Sequence, residues 1–363
     1  MSRETRLQLI ASLEKARGTH VISYLTSTRD NLDSYMAMDV IPVIYRHLTT
    51  IPGPRKGRKI DLFLHTNGGD GVVPWRLVTL IREFCDTFCV LVPNRAFSAG
   101  TLTALGADKV LMHPMGMLGP TDPTVITEFN PKSQRVADQL LGISVEDVGS
   151  YIDLVKDDVG IGHEDELIQA FTAMTNEVNP LALGAVKRLT SQSKMLGKNL
   201  LRLRDRTMPL HELEEITNKL TSQLFYHGHP ISRSEARDTI GLSFVEDPSA
   251  RVGDAMWSLF EAYATDMRLN EPYNPVVEAI RTHGPLPIPG PQAGGPPVLL
   301  QEGQPGILGD AVDVPLETLK TAFVESLQRC DVYELDITVT LRRSTSGGYL
   351  GLFGQMRSEW TTE

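Results

Sequence analysis

The chain has 363 residues, of which 41% are hydrophobic and 22% charged, so it can bury a large core and has an ordinary globular composition. Its formal net charge of −10 argues against a nucleic-acid-binding protein. Three cysteines provide no disulfide framework and predict free thiols in a reducing compartment.

The N-terminal residues form an amphipathic helix pattern that ends near Gly18. This region lacks the long apolar core of a signal peptide. No apolar run in the chain reaches the roughly 18–20 residues that a helix needs to span a bilayer. We therefore expect a cytoplasmic protein without a membrane span.

Strand and helix patterns alternate over the first third of the chain. Strands are predicted at 21–26, 60–65, 88–92 and 109–112, and helices at 36–50, 73–84 and 99–105. This alternation is typical of an α/β fold in which crossover helices connect a mostly parallel sheet.

After Pro123 the pattern becomes helical. Helices are predicted at 145–156, 165–174, 180–204, 210–224 and 234–240, and a last strand of the fold at 241–245. Asn179 and Pro180 form a typical helix start, with an N-cap followed by proline in the first turn.

The C-terminal region is separated by a run of proline and glycine, PLPIPGPQAGGPP, at 285–297. We predict a main domain at 1–270, a linker at 271–299 and a small α+β appendage at 300–363. Within the appendage, a helix is predicted at 315–328 and strands at 335–342 and 349–356.

Ser98 lies where a predicted strand meets a helix of small residues, and Gly68-Gly69 follows the preceding strand. A hydroxyl becomes an effective nucleophile only when a base takes its proton and donors receive the oxyanion. Glycines let a backbone N–H approach a ligand closely, and the Ala99 N–H at the helix start is a natural second donor. Together these features predict a nucleophile with its oxyanion hole.

Three segments carry a resemblance to a known group: HTNGGDGVVPWRLVTLIREF, NRAFSAGTLTALGADKVLMHPMGMLGPTDP and HPISRSEARDTIGLSFVED. Over roughly 21–247 the chain resembles the superfamily of Clp protease proteolytic subunits and signal peptide peptidase A, which has the crotonase-like fold. Within it, the chain is most similar to the serine dehydrogenase proteinase family.

The resemblance implies a serine peptidase that acts on peptides or proteins, needs no cofactor or metal, and assembles into homo-oligomers. It implies that Ser98 is the nucleophile and that the N–H groups of Gly69 and Ala99 form the oxyanion hole. It further implies that substrate binds in extended form beside residues of two loops, which are Gly68, Asp70, Gly71, Gly119 and Pro120.

The general base departs from the pattern. The Clp branch has a histidine after the second strand, where this chain has 118–123 without one, and His113 lies about one strand too early. The signal-peptide-peptidase branch uses a lysine, which works only if burial depresses its pKa.

Four lysines are candidates for that base: Lys156, Lys187, Lys194 and Lys198, of which the last three share one helix face. Counting back from His229-Pro230 favours Lys198, and the spacing of the bacterial signal peptide peptidases favours Lys156.

Two other functions stay open at this point. A crotonase-type acyl-CoA enzyme has a similar oxyanion hole but no serine nucleophile, and a catalytically silent scaffold would need no base. The pair His227 and His229 shows no third ligand and predicts a surface turn rather than a metal site.

Overall fold

A nine-stranded sheet organises the computed structural model, which describes residues 2–132, 140–224, 228–284, 307–344 and 349–363. The strands of this sheet and of three short ladders are β1 His20–Thr26, β2 Thr28–Arg29, β3 Leu32–Asp33, β4 Lys59–His65, β5 Thr87–Val92, β6 Arg95–Ala96, β7 Lys109–Met112, β8 Met117–Leu118, β9 Thr124–Val125, β10 Ile143–Ser144, β11 Val245–Glu246, β12 Ile307–Pro315, β13 Leu319–Glu325, β14 Cys330–Ser344 and β15 Tyr349–Thr362.

Helices cover both faces of that sheet. They are α1 Arg3–Arg17, α2 Val40–Thr50, α3 Val73–Arg82, α4 Ala99–Leu105, α5 Val145–Asp153, α6 Glu164–Glu177, α7 Pro180–Arg204, α8 Leu210–Ser222, α9 Ala250–Asp266 and α10 Pro275–His283, and two π-helical turns span Leu154–Asp158 and Glu235–Ile240. None of the helices within the described ranges is both long and apolar enough to cross a membrane.

The sheet has a parallel half and an antiparallel half. Strands β11, β7, β5, β4 and β1 are adjacent in that order and parallel. Strand β13 pairs antiparallel with β1, and β14 then pairs with β13, β12 and β15. The predicted α/β fold with a large, mostly parallel sheet and crossover helices is confirmed for the parallel half.

The parallel strands are continuous apolar runs in the sequence because both of their faces are buried. Six of the seven residues of β4 are buried, as expected for a strand covered on both faces. One face packs against α2, α3 and α4, with Ile44, Leu77 and Leu102 in its core. The other face packs against α1 and α9 through Leu13 and Met256.

The long helix α7 begins where its sequence predicts. The Asn179 side chain accepts a hydrogen bond from the Leu181 N–H at 2.9 Å, and Pro180 occupies the first helical position. The N-terminal helix ends at Gly18, as expected, in the left-handed conformation. The helix predicted at 36–50 begins only at Val40, because Met36 pairs with Gly69 in a parallel bridge.

The C-terminal region differs most from the prediction. The helix predicted at 315–328 is wrong, because β13 occupies half of that segment as a strand in the middle of the sheet. Residues after 306 thus continue the main sheet, while the strands predicted at 335–342 and 349–356 are confirmed within β14 and β15. Helix α10 lies inside the predicted linker, and residues 285–299 of that linker fall outside the described residues. The division into three parts stays a prediction.

Candidate active site

Ser98 occupies a strained turn between β6 and α4. Its φ of 50° and ψ of −108° are unusual for a residue other than glycine, and its side chain does not cap α4. Such a strand-to-helix turn holds a serine hydroxyl away from its own helix and towards a ligand. Ser98 here lines a cavity of about 380 Å³.

The glycine loop approaches this turn more closely than any side chain would allow. Gly68 and Gly69 have φ values of 111° and 151°, which L-residues rarely adopt. A Cβ atom on Gly68 would lie 2.7 Å from Ser98 Cβ, and one on Gly69 would overlap the Met36 backbone. Both positions therefore require glycine.

Hydrogen bonds account for most of the loop's backbone groups. The Gly68 N–H donates to Thr66 Oγ1 at 2.9 Å, and the Gly68 carbonyl accepts from the Met36 N–H at 2.7 Å. The Asp70 N–H donates to the Met36 carbonyl at 2.9 Å. The N–H groups of Gly69 and Ala99 have no acceptor among the described residues, so they are available to an oxyanion.

The cavity has a second wall made by α7. Its lining residues are Tyr35, Asn67, Gly69, Asp70, Gly71, Val72, Ser98, Leu102, Thr121, Asp122, Pro123, Leu189, Gln192, Ser193 and Leu196. Ser193 Oγ donates to the Thr121 carbonyl at 2.6 Å, which joins α7 to the loop after β8. The α7 wall is a site feature that sequence reasoning missed, although spacings of three and four residues between Leu189 and Leu196 are typical of one helix face.

Some of the predicted substrate-binding residues reach the cavity and others do not. Asp70 and Gly71 line it, whereas Gly68, Gly119 and Pro120 are buried outside its lining.

The strand edge at Leu118 is already paired with Ile231 through two backbone hydrogen bonds. The Leu118 backbone is therefore occupied in this structure, and a role of Gly119 and Pro120 in substrate binding stays a prediction.

The two favoured lysines lie away from Ser98. Lys198 Nζ forms an ion pair with Glu214 Oε1 on α8, at a distance of 3.0 Å. Lys156 is exposed on the π-helical turn Leu154–Asp158. Neither side chain lines the Ser98 cavity, so the structure does not bring together the predicted dyad.

Lys187 and Lys194 line a different cavity on another face of α7. The pKa of Lys194 is lowered by burial and then by the neighbouring charges of Lys187 and Lys198. Lys194 does not line the Ser98 cavity.

His113 also lies elsewhere, because its ring stacks on Trp257 of α9 with centroids 5.1 Å apart. Burial, followed by the charge of Arg233, lowers its pKa. Within the described ranges, no lysine or histidine lines the Ser98 cavity.

His227 and His229 are the two histidines that the sequence predicts to lie in a surface turn rather than in a metal site. His227 lies outside the described residues, and His229 Nε2 is 2.7 Å from Glu235 Oε1. No cluster of three or more His, Cys, Asp or Glu side chains suited to a metal occurs in the part of the chain that the structure describes.

The N-terminal part of the chain matches a known family. Residues 1–148 match the family of ClpP-like SDH-type serine proteinases. That segment contains Ser98, the glycine loop and the cavity rim up to Pro123, so the match supports a serine peptidase. It confirms the resemblance seen in the sequence.

Two uncharacterized proteins of Methanocaldococcus jannaschii are also similar. One is 25% identical over 206 residues, which are 51% of this chain and 70% of the relative. The other is 25% identical over 272 residues, which are 72% of this chain and 80% of the relative.

Among solved structures, an alanine mutant of the 1510-N membrane-bound stomatin-specific protease has 18% identity and a TM-score of 0.26. The match covers 38% of this chain and 61%, less than two thirds, of that one. The ECH2 decarboxylase domain of CurF from Lyngbya majuscula has 10% identity and a TM-score of 0.23, with 52% and 96% covered. Neither superposition supports a functional conclusion.

Proposed function

We propose that this chain is a serine endopeptidase that cleaves peptide bonds through an acyl-enzyme on Ser98. The observation that carries the proposal is the meeting of a strained serine with two positive-φ glycines at the start of α4. Backbone strain at such a place is a feature of functional sites. The family match over residues 1–148 supports the same chemistry.

The proposed reaction uses groups of the chain alone. Ser98 Oγ attacks the carbonyl carbon of the scissile bond, and a base takes the hydroxyl proton. The negative charge that forms on the carbonyl oxygen is received by the N–H groups of Gly69 and Ala99. The proton then passes to the leaving amine, and water hydrolyses the acyl-enzyme.

The two sides of the glycine loop favour the binding of a peptide in extended form. The edge at Gly69–Gly71 is open towards the cavity, while the opposite side of the loop is occupied by Met36. An extended chain could pair with the free Gly69 backbone, as peptides do when they add to a sheet edge. The scissile carbonyl would then lie between the glycine loop and Ser98.

The proposed base is a lysine, and the structure adds a candidate to those of the sequence. The ladder of β9 with β10 starts directly after cavity-lining Pro123, and an isolated bridge joins Lys132 to Leu140 further along the same segment. Lys132 therefore follows the cavity rim closely in sequence. It joins Lys156 and Lys198 as a residue to be tested.

The decisive experiment labels purified protein with a fluorophosphonate probe and measures cleavage of a peptide that is blocked at both ends. Ser98→Ala should remove labelling and lower cleavage by ~10³-fold or more. Ser193→Ala is the matched control, since Ser193 lines the same cavity but donates to the Thr121 carbonyl. Equal labelling of the Ser98→Ala and wild-type proteins would exclude the proposed nucleophile.

A further inference from the structure

A second cavity, of about 790 Å³, lies between α9 and the ends of β1, β4 and β5. It shares no lining residue with the Ser98 cavity, and its volume is in the range of small-molecule and peptide sites. The groups that matter here are the polar side chains of Thr28, His65 and Arg95, the aromatic side chains of Trp257 and Phe260 on α9, and Arg268 just after α9.

His65 is a buried polar group of this cavity with an unused nitrogen. The residue is 1% exposed, and its Nε2 lies 3.1 Å from Thr28 Oγ1. Its Nδ1 is buried without a hydrogen-bond partner. Burial, followed by the charge of Arg95, lowers the pKa of His65 to about 3, so the ring is neutral. When the Thr28 hydroxyl donates to Nε2, the Nδ1–H is a donor that lacks an acceptor.

Arg95 supplies an available positive charge beside His65. Its guanidinium contacts the amide oxygens of Asn94 and Asn67, at 3.2 and 3.4 Å, and no carboxylate of the described residues pairs with it. Arg268, the other arginine of the cavity, is already paired with Glu271 at 2.8 Å. An unpaired guanidinium next to an unsatisfied imidazole N–H is a suitable receptor for a carboxylate.

The aromatic wall adds a place for an apolar group. Trp257 and Phe260 lie with ring centroids 5.3 Å apart, and Phe260 is 4.8 Å from the His65 ring. Acidic residues Asp30 and Glu261 also line the cavity, which disfavours phosphates and other multiply charged anions. A ligand with one carboxylate and an adjacent apolar side chain fits this combination.

We propose that this cavity binds the free carboxyl end of a short peptide, with Arg95 and His65 holding the carboxylate and α9 holding the terminal side chain. This inference rests on the proposed peptidase function, under which the free carboxyl end belongs to a substrate tail or a cleavage product. Arg95 contacts Asn67, which lines the Ser98 cavity, so the bound carboxylate would lie one residue away from the catalytic loop.

The test is titration calorimetry with the peptide Ala-Ala-Ala-Phe and with its C-terminal amide. The protein is the Ser98→Ala variant, which keeps the ligand intact and makes the result independent of whether Ser98 is the nucleophile. The acid should bind, and the amide should bind about tenfold more weakly or not at all. Arg95→Gln should remove the difference between the two peptides, whereas Arg268→Gln should preserve it.

A matched pair on α9 locates the ligand. Thr265 is exposed, lines only this cavity of the two, and bonds to its own helix through the Glu261 carbonyl. Thr265→Glu should weaken binding of the acid about tenfold by charge repulsion, and Thr265→Gln should leave it within about twofold. Equal binding of acid and amide, or equal affinity of the two Thr265 variants, would overturn the proposal. Melting curves of each variant exclude loss of fold as the cause.

Discussion

The two walls of the Ser98 cavity are built in different ways. The glycine wall, residues 66–72 with Ser98, is held by backbone hydrogen bonds and by close contacts that only glycine allows. The helical wall is the side of α7 from Leu189 to Leu196, held by side-chain packing and by the bond from Ser193 to Thr121. A short sequence motif can therefore encode the strained serine turn and the glycine loop beside it, whereas the opposite wall depends on where α7 packs.

Among variants that keep Ser98, the largest effect should come from adding one methyl group to the glycine wall. Gly68→Ala places a Cβ 2.7 Å from Ser98 Cβ in a backbone conformation that alanine resists, so we expect peptidase activity to fall by ~10²–10³-fold. Gly71→Ala is the matched control, because it lines the same cavity with open space around it. Steady-state kinetics with both variants would show whether the close approach matters, and comparable rates would refute it.

Acid should weaken the sheet that carries the glycine wall. His65 at the end of β4 and His47 on α2 are buried, and burial is the main cause that lowers their pKa values to about 3 and about 4. The unfolded chain takes up these protons near pH 6.5, above both folded values. Stability should thus fall as pH drops below about 6.5, by roughly 1.4 kcal/mol per pH unit for each group, down to its folded pKa.

Urea unfolding at pH 7, 6 and 5 measures this slope. His47→Gln should reduce it, since His47 Nε2 and Nδ1 are bonded to Asp331 and Ser326 in the neutral ring. His211→Gln, on the exposed surface of α8, should leave the slope unchanged. A slope that is the same in all three proteins would mean that other groups cause the acid sensitivity.

A smaller effect is expected when the glycine wall loses a hydrogen bond but keeps its shape. Thr66→Val removes the acceptor for the Gly68 N–H and for the Thr26 hydroxyl, leaving both donors buried and unpaired. We expect kcat to fall about tenfold, with less change in KM, because the loop that supplies the Gly69 N–H is no longer fixed. Thr79→Val, which removes only a bond to the α3 backbone, should have no such effect.

The smallest effects should come from the lysines of the helical side. Lys198→Ala breaks an exposed pair with Glu214 and should change activity by less than about threefold, and exposed Lys156→Ala should do the same. Lys132→Ala tests the remaining lysine candidate for the base. Its kcat/KM is measured from pH 6 to 10 and compared with that of the wild type. Loss of activity with Lys198→Ala alone would show that α7 rearranges when substrate binds.

The sequence predicts the glycine wall well because its signals are local. Each turn is specified by residues next to it in the sequence. Ser98 directly precedes the helix of small residues, and Gly68-Gly69 directly follow a buried strand. Lys198 is different, since its position depends on how α7 packs against α8, where Glu214 lies. The spacing from Leu189 to Leu196 marks one face of α7, but the sequence of α7 does not indicate that this face meets Ser98.

Strand β13 was missed for a related reason. All five residues from Thr321 to Glu325 are buried, so β13 shows no alternation of apolar and polar residues. Helix α9 was overlooked although its apolar spacing, from Val252 to Tyr263, is that of a buried helix face. The sequence of β13 thus contains no periodicity that would distinguish a strand from a helix. The sequence of α9 does contain a helical periodicity, which the sequence analysis did not use.

The pairing of β1 with β13 has a consequence for how the protein is made. Tyr24 pairs with Val324, so β1 exposes an open edge from the time it is synthesised until the last sixth of the chain follows. Contacts between such distant segments form slowly, and an open edge next to a buried parallel sheet is prone to pair with another chain. The nascent protein is thus most vulnerable to aggregation while it is on the ribosome, and its final strands protect it by closing the edge.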